Sequence, residues 1–550
     1  MRGYIQDPDV PAVRASGRAG KEIMERQELG YVAAVEGAEL TVVLGDDVFA
    51  TVTVGDMVVI PSSRSLVFGL VQTLLTPSPA ATVTPGDRHL ARVALLGESL
   101  GTEDAAFTFQ RGVSHNPCLG AAVCRTDSAD LARIYAKPSK SSVVVGALHQ
   151  DSDVPAYVIV DDFLGKHFAV LGTTGSGKSC TVAVLLRSIL TAHRNGHIVL
   201  LDPHDEYAAA FGDMAEMVTP DTLVLPYWLL DFEEMVQVFC STGQPYREVE
   251  ANILKDCVMA AKAEYLRGSS GGDEAGLTID TPVPYRLARV TELLKIGMGK
   301  LDKPESSIPY MRLMSRIDTL RRDRRFSFMF GQLTVEDVMG EVLARYLRLP
   351  ADGRPMTIFN LAGVPSEIVD VVVSVLCRLI FDFALWTKRG TGVPILLVCE
   401  EAHRYVPRDS AVAFGPTRRA LSRIAKEGRK YGVSLGLITQ RPSEISETVL
   451  SQVNTLFSLR MSNEQDQLFV RRAMPENAAG LLAALPALRT QEAVVVGEGV
   501  PVPMRIRLRE LSADERPRSD TARFSEVWSG PCNDKNFIAD TLDRWRRQIR

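Results

Sequence analysis

Apolar and polar positions follow two different rhythms along this chain. From about residue 28 to 130, short β-rich runs such as "YVAAVEGAELTVVLGDDVFATVTVGDMVVI" and "SLVFGLVQTLL" are punctuated by Gly-Asp pairs. That spacing predicts a small β-barrel or sandwich. Near residue 150 the rhythm changes. The runs "HFAVLG", "HIVLLD", "PILLVCEE", "VSLGLITQ" and "TLFSLRMS" are continuously apolar, end in polar tips and alternate with helical patterns. Strands of that kind belong to a parallel sheet covered on both faces, so the expected fold is α/β.

Residues 150–230 and 351–490 read as two parts of that α/β core. Between them, 231–350 is mostly helical, as in "DFEEMVQVFCS" and "REVEANILKDCVMAAKAEYLR", with a flexible "GSSGGDEAG" at 268–276. Because strands flank it on both sides, it reads as a helical insertion domain. Residues 1–27 form an N-terminal arm, and 491–550 hold two β-like runs, "EAVVVGEG" and "PMRIRLREL", ahead of an Arg-rich tail. No repeat of 20 to 50 residues is evident.

Composition narrows the setting. With 550 residues, 46% of them apolar and 23% charged, the chain is expected to fold as several soluble domains. The first 25 residues lack the apolar stretch of a signal peptide, and no run reaches the roughly 18 apolar residues of a membrane span. A cytoplasmic protein with no membrane association is expected. The eight cysteines contain no CxxC pair and read as reduced thiols. Net charge is −5, so no global basic field points to nucleic acid; positive charge is local, in "RRDRR", "RRALSRIAKEGRK" and "RWRRQIR".

The segment "GTTGSGKS", residues 172–179, satisfies G-x-x-x-x-G-K-[ST] between the strand "HFAVL" and the helix "CTVAVLLRSIL". Loop amides and a helix N-terminus converge there on phosphate oxygens. Gly172, Gly175 and Gly177 permit close backbone approach, and Thr173, Thr174, Ser176 and Cys180 complete the nucleotide-binding segment. Lys178 would reach the β and γ phosphates of ATP, and Ser179 would ligate Mg²⁺.

A phosphate loop needs a carboxylate-bearing strand end beside it. "PILLVCEEAHRYVP" supplies Glu400 for the magnesium ion, through water, and Glu401 as general base. "EEAH" is not H-E-x-x-H, which argues against zinc. His403 is open between a structural hydrogen bond and a coupling role. Other strand tips bring Asp202, His204, Glu206, Thr439, Gln440 and Arg441 to the same sheet edge, where Gln440 could position the γ-phosphate and the attacking water. In "RRALSRIAKEGRKYG", Arg419, Arg423, Lys426 and Lys430 share one helical face. That face is open between solvent, DNA phosphates and a neighbouring subunit's nucleotide.

Together "KHFAVLGTTGSGKS", "VLLDPHDEYA", "LPYWLL", "IFNLAGVP", "LLVCEEAHRYVP" and "RIAKEGRKYGVSLGLITQRPSEISETVLSQVNTLFSLRMSN" resemble the HerA family of the HerA/FtsK group of hexameric P-loop DNA translocases. The resemblance covers most of 150–475. It implies a RecA-like ATPase core, an N-terminal HAS-like β-barrel and a helical bundle insertion. It further implies a homo-hexamer threading double-stranded DNA through a central pore and driven by ATP and Mg²⁺. The partner would be a NurA-type nuclease or a Sir2-like effector, in DNA end processing or antiphage defence. On this resemblance Glu401 is catalytic, Gln440 is a sensor, Arg429 is the finger acting on a neighbour's nucleotide, and Lys166 is a second cation acting on nucleotide. The chain departs from the family's pattern at Asp205, where a glycine is usual, and at Lys426 in "AKEGRK", where an arginine is usual. An ATP-gated ring that assembles and activates an effector, without being primarily a DNA motor, is the alternative reading.

Overall fold

The Gly-Asp-punctuated runs fold into seven antiparallel strands: β1 (Glu28–Glu36), β2 (Glu39–Leu44), β3 (Met57–Pro61), β4 (Ser65–Leu75), β5 (His89–Leu100), β6 (Thr108–Arg111) and β7 (Ala122–Arg125). The computed structural model describes residues 26–547 apart from 63–64, 77–87, 101–107, 242–244, 269–273, 302–303, 332–334, 389, 410–413, 474–477, 519–523 and 531–534. Nearly all of the N-terminal arm and much of "GSSGGDEAG" lie outside the described residues. The strands pair in the order β2-β1-β7-β3-β4-β5-β6, and β2 also pairs with β5, which closes six of them into a barrel. In β2, Leu40, Val42 and Leu44 are buried while their neighbours are half-buried, the period-two pattern of a strand with one face inward. Closure removes the exposed edges a small sheet would otherwise present.

The second sheet has eleven strands: β8 (Ser142–Leu148), β9 (Pro155–Ile159), β10 (His167–Leu171), β11 (Ile198–Asp202), β12 (Ala215–Val218), β13 (Met356–Asn360), β14 (Ile395–Cys399), β15 (Val433–Thr439), β16 (Val453–Ser458), β17 (Glu492–Gly497) and β18 (Met504–Leu508). Their order is β12-β13-β11-β14-β15-β10-β16-β17-β18-β8-β9. From β12 to β16 all neighbours are parallel; from β16 to β9 they are antiparallel. Every one of the five apolar runs is a strand of the parallel part. β10, β11, β14 and β15 are buried at every position, as strands covered on both faces must be.

The carboxylate strand is not the immediate neighbour of the phosphate-loop strand, contrary to the sequence expectation. β15 lies between β10 and β14. Parallel strands joined by helical crossovers are placed by tertiary packing, so strand order is not written in any one run. The interposed strand puts the tip carrying Gln440 between the phosphate loop and the two carboxylates.

The helical stretch is inserted between β12 and β13. Its first helix, Phe232–Phe239, opens with a capping box formed by Asp231 and Glu234. Glu234 is buried and also accepts from Ser374 (2.7 Å) and Arg378 (2.8 Å) of the core helix Ser366–Trp386, which ties the insertion to the sheet. The barrel is tied down by Arg111, whose guanidinium donates to the carbonyls of Gly497 (2.8 Å), Val500 and Pro501. The seven described cysteines are free thiols, four buried and Cys118 exposed. No helix among the described residues is long and apolar enough to cross a membrane.

Candidate active site

The phosphate loop leaves β10 at the carboxyl edge of the parallel strands and runs into the helix Lys178–Ala192. Gly177, the residue before that helix, has φ +100°, a conformation in which a side chain is strained. At Gly172 a Cβ would meet Ser176 Oγ at 2.6 Å and Leu459 Cβ at 2.8 Å. The loop is cross-braced from β15 and β16. Gly172 N donates to the Thr439 carbonyl (3.3 Å), and both the amide and the hydroxyl of Thr173 donate to the Arg460 carbonyl (3.0 Å each). Ser176 Oγ donates to the Thr173 carbonyl (2.6 Å). Lys178 Nζ reaches the same carbonyl at 3.2 Å. Ser179 Oγ donates to Glu206, and Thr174 Oγ1 to Gln440 Oε1.

Two strand tips away, Glu400 and Glu401 are both buried, at 3% and 7% exposure, yet they face different partners. Glu401 has φ +52°, a left-handed conformation uncommon outside glycine. Glu400 Oε2 accepts from the hydroxyl of fully buried Tyr207 at 2.9 Å. Burial pushes the Glu400 carboxyl up to about 8; Glu401 and Glu206 add to the rise, while the Tyr207 hydrogen bond and Lys178 oppose it. Burial likewise pulls Lys178 below the usual ammonium range, against Glu400, Glu401 and Glu206. One cation thus faces three carboxyl groups.

Glu401 Oε2 is buried and makes no hydrogen bond among the described residues. His403 Nδ1 lies 3.1 Å from it, but the imidazole bonds Thr439 Oγ1 at 3.0 Å. Burial holds this imidazole below its usual range. His403 therefore bridges the carboxylate strand tip to β15, one residue from Gln440. Tyr207 and this bridge are contacts that spacing alone does not reveal; the signal available for Tyr207 was its place in "DPHDEY". In that loop Asp202 accepts from His204 N (3.1 Å) and Tyr207 N (3.0 Å), and Asp205 takes φ +57°, so the backbone keeps a glycine-type conformation without the glycine.

The cations divide into two groups. Arg419 pairs with Glu233, and Arg423 lies 3.6 Å from Asp382 and 4.4 Å over the Phe381 ring, so part of the basic helical face is neutralised within the chain. Lys426, Arg429 and Lys430 are exposed at the end of the helix Gly415–Tyr431 that leads into β15. Arg429 is close enough to Lys166 to depress its ammonium pKa, behind burial as the main cause. Lys166 also contacts Glu498 and precedes the first residue of β10, whereas the phosphate loop follows the last. Five residues of strand span roughly 16 Å, so Lys166 and Arg429 sit together at the sheet edge opposite the chain's own nucleotide loop.

The raised Glu400 carboxyl has a consequence for stability. The folded chain binds this proton more tightly than the unfolded chain, whose value is near 4.5. Stability from this group is therefore present below that value and lost as pH rises toward about 8. The melting temperature of Glu400→Gln minus that of the parent, without nucleotide, is expected to climb across this window. A pH-independent difference in thermal denaturation would contradict it.

A phosphate loop on one strand, an acid pair two strands away and an amide on the strand between define a RecA-like P-loop ATPase. Within that class the chain is similar to HerA proteins: residues 143–380 match the family model "Helicase HerA, central domain". The probable DNA double-strand break repair helicase HerA of Methanocaldococcus jannaschii is 27% identical over 461 residues, 76% of this chain and 83% of that protein. The DNA double-strand break repair helicase HerA of Pyrococcus furiosus is 26% identical over 453 residues, 74% of this chain and 75% of that protein. Among solved structures, VirB4 of Thermoanaerobacter pseudethanolicus aligns with 69% of this chain and 99% of its own, at 14% identity and a TM-score of 0.46.

Proposed function

We propose that the chain is an ATP-driven motor that translocates on double-stranded DNA as a ring of six copies, together with a separate nuclease or Sir2-like effector in DNA end processing or antiphage defence. The observation that carries the motor reading is the meeting of Lys178, Ser179, Glu400, Glu401 and Gln440 at one sheet edge. It occurs in a chain similar over most of its length to proteins named as double-strand break repair helicases.

The loop amides and Lys178 hold the β and γ phosphates of ATP. An oxygen-only donor set fits Mg²⁺, with Ser179 as direct ligand and Glu400 acting through water. When bound, the ion would neutralise charge on the phosphate oxygens. Glu206 accepts the Ser179 hydroxyl and fixes the orientation of that side chain. Glu401, whose Oε2 accepts no hydrogen bond among the described residues and lies 3.1 Å from His403 Nδ1, is the base for the attacking water. Gln440, held by Thr174, positions that water and reports the γ-phosphate. Arg429 and Lys166, on the far edge of the sheet, reach nucleotide only across a contact between copies, which is why a ring is part of the reading.

The test is ATPase activity of the purified chain, alone and with the product of the neighbouring gene, with and without linear duplex DNA. Duplex-stimulated hydrolysis is expected. Absence of both hydrolysis and DNA binding in every combination would overturn the motor.

A further inference from the structure

The phosphate loop's first half opens into a second feature, which shares Thr173, Thr174 and Gln440 with the hydrolytic site but adds arginines that site does not use. A cleft of about 1080 Å³ is bounded by Thr173 and Thr174 on one side and by the segments after β15 and β16 on the other. Four arginines from separate stretches of chain line it: Arg408, Arg441, Arg460 and Arg472. Arg460 and Arg472 have neither a hydrogen bond nor an ion pair with their side chains among the described residues. Arg408 and Arg441 are paired with Glu447 (3.2 Å) and Glu444 (2.8 Å) on the exposed rim. Exposed pairs of this kind contribute little in water and exchange readily for another anion. The remaining acid of the lining, Asp466, is occupied by the amide (3.0 Å) and hydroxyl (2.7 Å) of Ser443.

We propose that this arginine cleft is where the chain grips the sugar-phosphate backbone of nucleic acid, and that the grip is wired to the nucleotide loop. The inference rests on the motor reading above and names the surface on which it acts. Guanidinium forks match phosphate oxygens bidentately, and convergence of several is the local signature of backbone binding in a chain whose net charge is −5. The ATP phosphates are met by the amides at the start of the helix Lys178–Ala192, and none of the four arginines belongs to that segment. Two contacts supply the wiring. Thr174 holds Gln440, whose next residue is Arg441, and Thr173 holds the Arg460 carbonyl through both its amide and its hydroxyl. A shift of the loop on gaining or losing the γ-phosphate is thereby delivered to both walls of the cleft.

The experiment titrates labelled linear duplex with the full chain, saturated with a non-hydrolysable ATP analogue, over a series of salt concentrations. Four proteins are compared: parent, Arg460→Ala/Arg472→Ala, Arg460→Lys/Arg472→Lys, and Arg322→Ala as an exposed arginine elsewhere. The slope of log affinity against log salt should fall by about one for each phosphate contact removed in the alanine double variant. The lysine double variant should keep most of the slope, and Arg322→Ala all of it. Equal loss in the alanine and lysine variants would mean a structural role and overturn the assignment. Unchanged affinity and slope in the alanine variant, with the parent binding duplex, would overturn the cleft while leaving the motor standing. A parent that binds no duplex removes both. A competing arm with inorganic phosphate separates a free-anion site: phosphate binding lost in the alanine variant with duplex binding intact also overturns the proposal.

Discussion

Replacing Glu401 by glutamine is expected to lower ATP turnover by about 10²- to 10⁴-fold, the ordinary contribution of a positioned general base, while nucleotide affinity stays within a few-fold of the parent. The amide has the same shape, so the left-handed backbone at this position and the contact with His403 persist. What is lost is the proton acceptor, a buried carboxylate oxygen that accepts no hydrogen bond among the described residues. Glu400, two-sided between Tyr207 and the cation, is untouched. Single-turnover hydrolysis beside equilibrium binding of a labelled nucleotide separates the two quantities. A parallel fall in both would make Glu401 a binding group and sink the base assignment. The same variant distinguishes a motor from an ATP-gated scaffold, because a scaffold with bound but unhydrolysed ATP would still activate its effector.

Arg429→Ala should cost more, about 10³- to 10⁵-fold in turnover, the range for a finger that stabilises transition-state charge from a neighbouring subunit. Its distance from its own phosphate loop makes a mixing experiment decisive. Rings of Arg429→Ala alone and rings of Lys178→Ala alone should both be inactive. In mixed rings, a loop from the first variant meets an intact finger from the second, and hydrolysis should return in proportion to such pairings. No recovery in mixtures shown to co-assemble would mean that Arg429 acts within its own copy or not at all. Lys426 and Lys430 share the exposed helix end, and the same mixing assigns the finger among the three.

Much of the architecture was legible because burial on two faces leaves a mark that survives in one dimension. The five continuous apolar runs are strands because a doubly covered parallel strand has no solvent face to be polar on. Strands β8, β9 and β12 carried no comparable signal. "AEMV" is four residues at a sheet edge, and "PAYVI" begins with the proline that edge strands tolerate. The terminal runs "EAVVVGEG" and "PMRIRLREL" were visible as strands, but their membership of the core sheet was not, because antiparallel neighbours can come from anywhere in the chain.

The site divides along the same line. "GTTGSGKS" and "CEEAH" announce their chemistry locally, since a phosphate loop needs glycines, a lysine and a hydroxyl at set spacing, and a strand tip displays its acids to the same edge. The contacts that give those residues distinct tasks join positions far apart in sequence: Tyr207 with Glu400, Ser179 with Glu206, Thr174 with Gln440, Thr173 with Arg460. By itself the sequence determined which residue types stand at each strand tip, because composition and spacing are local. Only the tertiary structure decided that β15 separates the loop from the acids, that one glutamate is capped by tyrosine while the other faces a histidine, and that four scattered arginines share one cleft. Those outcomes depend on how strands order and pack, and packing energy is a property of the whole sheet and not of any segment in it.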